Sequence, residues 1–200
     1  MWALQFQISQ NFTLTSFQGS AISLKRQFSP NMAIRIGASM SISSSTSESE
    51  LTNMPDSFMY YTQSGFGNSQ SVLITAQYLR YPDPIAGVNL FFGAGPLVSF
   101  GRTKDFRELI TMVANAPISR VNVVDEVTSW STGLSMVAGL EWFATTWISI
   151  SAEYGSSLEY NWRKSTRRQE LFSPSSDSES KSSLFGFRPT SVRFGVSAYF

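Results

Sequence analysis

The segment Ser129-Trp130-Ser131-Thr132-Gly133-Leu134-Ser135-Met136-Val137-Ala138-Gly139-Leu140-Glu141-Trp142 decides how the rest of the chain is read. Trp130, Thr132, Leu134, Met136, Ala138, Leu140 and Trp142 fall on one face, and Ser129, Ser131, Gly133, Ser135, Val137, Gly139 and Glu141 on the other. That period of two is the signature of a β-strand. From Trp130 to Trp142 are twelve steps of ~3.3 Å, about 40 Å, which projects to roughly 28 Å at a ~45° tilt. This is the thickness of a bilayer's hydrocarbon core, with a tryptophan at each boundary. In a soluble barrel the bulky face would point inward, but a small barrel encloses room only for side chains or one small ligand. The alternation therefore predicts bulky residues facing lipid and small or polar ones facing the lumen.

The same alternation recurs at Trp2 to Ile8, Gly19 to Phe28, Ile34 to Ser43, Gln70 to Tyr81, Val88 to Gly101, Trp147 to Trp162 and Ser191 to Phe200. Phe12 and Leu14 are candidates to extend the first of these. Short connections at 29–31, 82–87 and 144–146 alternate with long polar ones at 44–68, 102–126 and 163–185, the mark of tight periplasmic turns and long external loops. With the segment around Trp130 the count is eight, and an even count leaves both termini periplasmic. Within the second long connection, Phe106, Leu109, Ile110 and Val113 have helical spacing after Asp105, which predicts a short helix. Pro96 predicts a bulge or a locally unpaired position, because it cannot donate to a ladder. The expectation is one all-β domain over 1–200, an eight-stranded antiparallel up-and-down transmembrane β-barrel.

Composition agrees. Charged residues are only 14% of the chain against the roughly 25% usual in soluble domains, while aromatics reach 14%. No run approaches the ~20 apolar residues of a membrane helix, so any crossing is by strands. Cysteine and histidine are both absent, which removes disulfides, thiolate metal sites and the commonest general base. A net charge of +1 and a basic run without interleaved aromatics argue against nucleic acid as a partner. Export requires a secretory signal, and Met1-Trp2-Ala3-Leu4-Gln5 does not resemble one, so the signal is expected to have been removed.

Lys25, Arg35, Glu141, Glu153 and Arg193 fall on the inward parity of their strands. Glu153 and Arg193 lie on neighbouring strands at about one height and are expected to pair, with Lys25 and Arg35 nearer the periplasmic mouth and Glu141 across the lumen. A buried charge without a partner costs several kcal/mol, so these residues are expected to form a salt-bridge network that plugs the barrel. A gated pore is the alternative. Glu141 and Glu153 sit at different depths and make no acid/base pair. Arg163, Lys164, Arg167 and Arg168 are expected at the base of an external loop, in reach of lipopolysaccharide phosphates; a solvated loop neutralised by Glu170, Asp177 and Glu179 is the competing reading.

The final Arg193-x-Gly195-x-x-Ala198-x-Phe200 is similar to the carboxy-terminal signal of bacterial outer-membrane barrels, polar-x-Gly-x-x-hydrophobic-x-aromatic. With Gly139-Leu140-Glu141-Trp142-Phe143 and Ser151-Ala152-Glu153-Tyr154-Gly155, the chain resembles the small eight-stranded outer-membrane family (OmpA/OmpX-type barrels) along nearly all its length. The resemblance implies a bacterial outer-membrane location and recognition of Arg193, Gly195, Ala198 and Phe200 by the barrel-assembly machinery. It also implies contact with lipid and lipopolysaccharide, and a structural, envelope or partner-binding role through external loops, without a cofactor. Enzymes of such barrels resemble hydrolases and acyltransferases that use a histidine, so enzymatic activity is not expected here. A small passive channel is the first alternative and a soluble lipocalin-like calyx the second.

Overall fold

The structure, a computed structural model, describes residues 1–9, 20–53, 59–82, 87–113, 116–170, 176–190 and 192–200. These form β1 (Trp2–Ser9), β2 (Ser20–Ser29), β3 (Met32–Asn53), β4 (Met59–Arg80), β5 (Val88–Val113), β6 (Ala116–Phe143), β7 (Ile148–Glu170), β8 (Ser176–Pro189) and β9 (Arg193–Tyr199). Each strand from β1 to β7 pairs antiparallel with the next. β9 pairs with the first part of β7, β8 with the second part, and β9 closes on β1. β8 and β9 are thus two halves of one stave, and the ring has eight staves. Across the interruption the Thr190 amide still donates to the Gly155 carbonyl (2.9 Å), which keeps the stave against β7. At the seam the Trp2 and Phe200 amides each donate to the other's carbonyl, at 3.1 and 2.9 Å.

The strands run well beyond their expected ends. The stretches at 44–68, 102–126 and 163–185, read as loops, lie largely in paired strands: Ser44 pairs with Asn68, Arg102 with Thr128 and Arg163 with Ser182. These largely polar sequences still have backbone amides and carbonyls that need partners, and continuing an existing ladder satisfies them. The expected helix after Asp105 is strand as well, with Phe106 between Phe66 and Val124. A helical spacing of apolar residues over so short a span is ambiguous. The β-branched Val121, Val123 and Val124 across the ladder favour the extended form. The extension to Phe12 and Leu14, and residues 83–86 of the second short turn, lie outside the described residues.

Pro96 does interrupt pairing on one side. The β4–β5 ladder passes from Thr75↔Leu97 to Tyr78↔Ala94, skipping Ala76, Gln77, Gly95 and Pro96, while Pro96 stays in register with Leu134 on the other side. A Cβ on Gly95 would lie 1.8 Å from the Ala76 carbonyl oxygen, so the two backbones approach here as only glycine allows. Gly87, with φ of 102°, brings the chain into β5 through a conformation that other residues adopt at a cost.

Inside the ring, the end that carries both termini, here the base, is packed on one side by Ala33, Leu79, Tyr81, Phe91 and Val137. The expectation that small or polar residues face the lumen is therefore corrected at this end. Phe91 and Leu79 occupy inward parity, Phe91 filling the space beside Gly139 of β6 and Leu79 the space beside Gly93 of β5.

Candidate functional site: the filled lumen

Two ion pairs cross the lumen. Lys25 on β2 meets Glu141 on β6 (Nζ to Oε1, 2.6 Å), and Arg35 on β3 meets Glu153 on β7 (Nη1 to Oε2, 2.6 Å). In each pair the partners stand four staves apart around an eight-stave ring, on opposite walls. All four side chains are buried.

The basal tier is built on the Glu141 carboxylate. Its Oε1 accepts from Lys25 Nζ, Ser149 Oγ and Tyr199 OH, each at 2.6 Å, and its Oε2 accepts from Tyr81 OH at 2.9 Å. The Lys25 ammonium also lies 4.8 Å from the centre of the Tyr199 ring. β2, the residue after β4, β6, β7 and β9 thus converge on one carboxylate, as a buried charge requires if it is to remain tolerable.

The middle tier is built on the Arg35 guanidinium. Nη1 donates to Glu153 Oε2 and to Gln5 Oε1 (3.1 Å); Nη2 donates to Glu153 Oε1 (3.3 Å) and Gln77 Oε1 (2.6 Å); Nε donates to Gln77 Oε1 (3.0 Å). The fixed fork of arginine suits this simultaneous grip on a carboxylate and two amides. Gln5 extends the network to Ser151 (2.9 Å) and accepts from Ser23 (3.1 Å), and Gln77 donates to Ser135 (2.5 Å). Between the tiers and the far end lies a cavity of about 90 Å³, bordered by Arg35, Glu153, Glu159 and Arg193 among others. That volume holds a handful of water molecules.

One expected pair is corrected. Glu153 and Arg193 are Cα partners across β7 and β9, so they share a height, but the Glu153 carboxylate is taken by Arg35. Arg193 borders the cavity and has no ion pair among the described residues. A double-mutant cycle separates the two arrangements. Glu153→Ala with Arg35→Ala is expected to be non-additive by about 1–3 kcal/mol, and Glu153→Ala with Arg193→Ala to show a clearly smaller coupling, in urea unfolding of the refolded protein. Gln5, Gln77, Tyr81 and Tyr199 were not singled out from the sequence. Their inward parity was the available signal.

The basic run is divided by parity. Lys164 and Arg168 lie on the outer face and Arg163 and Arg167 on the inner, in the continuation of β7 rather than at the base of a loop. Lys164 meets Glu179 (3.0 Å), Arg168 meets Asp177 (3.3 Å), and Arg167 faces Asp125 (3.7 Å). At the closing strand, Gly195 faces the lumen while Ala198 and Phe200 face outward.

The outer face reverses the pattern of a soluble protein. Trp130 and Trp142 are each 49% exposed, Leu140 50%, Phe100 53% and Val196 53%, whereas the interior Lys25 and Glu141 are 1% exposed. A continuous apolar wall faces out and charges face in, which is stable only if the wall meets hydrocarbon. The chain is an eight-stranded transmembrane β-barrel. A soluble calyx, which would need the apolar face inside, does not fit it. No helix among the described residues is long and apolar enough to cross a membrane, and the crossing is made by strands.

No protein-family model matches the barrel, and no curated protein does. Among solved structures it is similar to Ail, the attachment invasion locus protein of Yersinia pestis, at 12% identity and a TM-score of 0.38, over 99% of this chain and 92% of that one. It is also similar to CarO of Acinetobacter baumannii, at 10% identity and a TM-score of 0.37, over 100% of this chain and 96% of that one. The barrel itself rests on its own strand pairing and its outward apolar wall.

Proposed function

We propose that this barrel is a non-conducting structural and binding protein of a bacterial outer membrane, closed by its two interior tiers and interacting through the β-structure that extends beyond the membrane. The observation that carries this reading is the crossing of the lumen by Lys25–Glu141 and Arg35–Glu153 from opposite walls. A solute passing through would have to break both pairs, and separating a buried pair leaves uncompensated charge costing about 3–5 kcal/mol each time. The absence of histidine from the sequence supports a non-catalytic role. The last residues, with Ala198 and Phe200 outward beside the β1 seam, support recognition of the terminal stave during assembly, with Arg193 and Gly195 on its inner side.

Purified barrel in planar bilayers is expected to give no steady conductance at neutral pH. Persistent single-channel steps from wild-type protein would replace this reading with the passive channel.

A further inference from the structure

The cavity above the middle tier has idle donors and occupied acceptors. Arg193 on β9 and Gln7 on β1 both border it, and Gln7 stands opposite Gly195, two residues along from Arg193. The Arg193 guanidinium has no ion pair among the described residues. Gln7 is 3% exposed, and its Nε2 has no acceptor among the described residues, whereas buried donors ordinarily find one. The carboxylates on the same walls are taken. Both oxygens of Glu153 accept from Arg35, at 2.6 and 3.3 Å. Glu159 accepts from Ser157 (2.5 Å) and Ser131 (3.3 Å). It also stands six residues beyond Glu153 on β7, roughly 20 Å along the strand. Where Arg193 and Glub153 are level, the cavity therefore has two guanidiniums against one carboxylate. One positive charge is left over there, near an amide donor with nothing to meet.

We infer that the lumen holds a binding site for a small, planar, monovalent oxyanion such as formate or nitrate, seated on the Arg193 guanidinium with Gln7 as a second donor. The charge left over is one, which a monovalent anion balances. The guanidinium fork matches two oxygens lying in a plane. The volume of about 90 Å³ admits a few non-hydrogen atoms, whereas sites for larger organic ligands take ~300 Å³ or more. Glycine makes part of the room: a Cβ on Gly195 would lie 3.1 Å from Gln5 Nε2 and 3.2 Å from Gln7 Cγ, so only a bare backbone lets both amides pass beside β9. A soluble ion is favoured over a lipid or a protein surface because the site lies inside the ring, where neither reaches.

The test is saturation-transfer NMR on the full-length barrel in uncharged maltoside micelles. Sodium formate is the probe, exchanged for sodium gluconate at constant ionic strength, because gluconate carries the same charge and is too large for the cavity. Transfer from the barrel to the formate proton is expected to saturate with concentration; transfer that stays linear overturns the inference. Arg193→Gln should weaken the apparent affinity by about tenfold, and Gln7→Leu by about threefold. Unchanged affinity in either variant overturns the inference. Gln7→Leu changes no charge and is of similar volume, so it keeps the test decisive should Arg193→Gln fail to give the heat-dependent gel shift of a folded barrel. Lys164→Gln with Lys181→Gln removes two cations from the outer face and should change nothing; a loss there places the formate on the surface and overturns the site. Nitrate should compete with formate and chloride should compete less well. Chloride that competes equally shows a site reading charge alone, which overturns the planar oxyanion.

Discussion

Arg35→Ala is expected to lower the unfolding free energy of the barrel by about 3–5 kcal/mol, one of the two largest effects of any single substitution in the lumen. The guanidinium makes five hydrogen bonds, to Glu153, Gln5 and Gln77. Its removal leaves the Glu153 carboxylate, 4% exposed, facing a cavity with no cation bonded to it. At the same time Gln77 Oε1 loses both of its guanidinium donors, and Gln5 Oε1 keeps only Ser23. Urea unfolding of barrel folded into lipid vesicles, followed by the loss of the heat-modifiable gel band, measures the change. Removing the carboxylate as well, in Arg35→Met with Glu153→Leu, should recover most of the loss, because apolar groups of similar volume need no partner. A loss below about 1 kcal/mol for Arg35→Ala would mean that the middle tier does not hold the staves together. The same variant should also widen the lumen, so brief conductance steps absent from the wild type are expected in bilayers.

Glu141→Ala should cost about as much, again 3–5 kcal/mol, for the opposite charge. Lys25 is left buried at 1% exposure with its ion-pair partner gone, and Ser149, Tyr81 and Tyr199 lose the acceptor they share. Tyr199→Phe is the informative contrast. It removes one of four donors while leaving the ion pair intact, and should cost about 1–2 kcal/mol. Tyr199→Phe keeps the ring that lies 5.3 Å from Phe143. If it proved as damaging as Glu141→Ala, the tyrosine hydroxyl rather than the Lys25–Glu141 ion pair would be what holds the tier.

Which residues face in was legible from alternation alone. Glu141, Glu153, Lys25 and Arg35 all sit where a period of two puts them, and Trp130 and Trp142 face out as the same count requires. Element ends were less legible. Serine-rich stretches such as Ser43 to Ser49 look like loop by composition, and only the presence of a partner, Gln63 to Ser69 across the hairpin, makes them strand. The apolar spacing after Asp105 was misread for the same reason: pairing with Phe66 and Val124 outweighs a local pattern short enough to suit either form.

Glu153 draws the division most sharply. Sequence position and strand count put it level with Arg193, and the register agrees, Cα opposite Cα. The ion pair nevertheless goes to Arg35, on the opposite wall of the ring. Neighbouring strands announce their contacts through counting, because a ladder fixes which residues are level. Contacts across a lumen depend on ring closure, on which side chain is long enough to span the diameter, and on what else fills the space. The sequence by itself determined an eight-stave wall with its apolar side toward lipid and its charges inside. Only the closed structure decided which charges meet, because in a tube this narrow the nearest partner of a long side chain stands on the far wall.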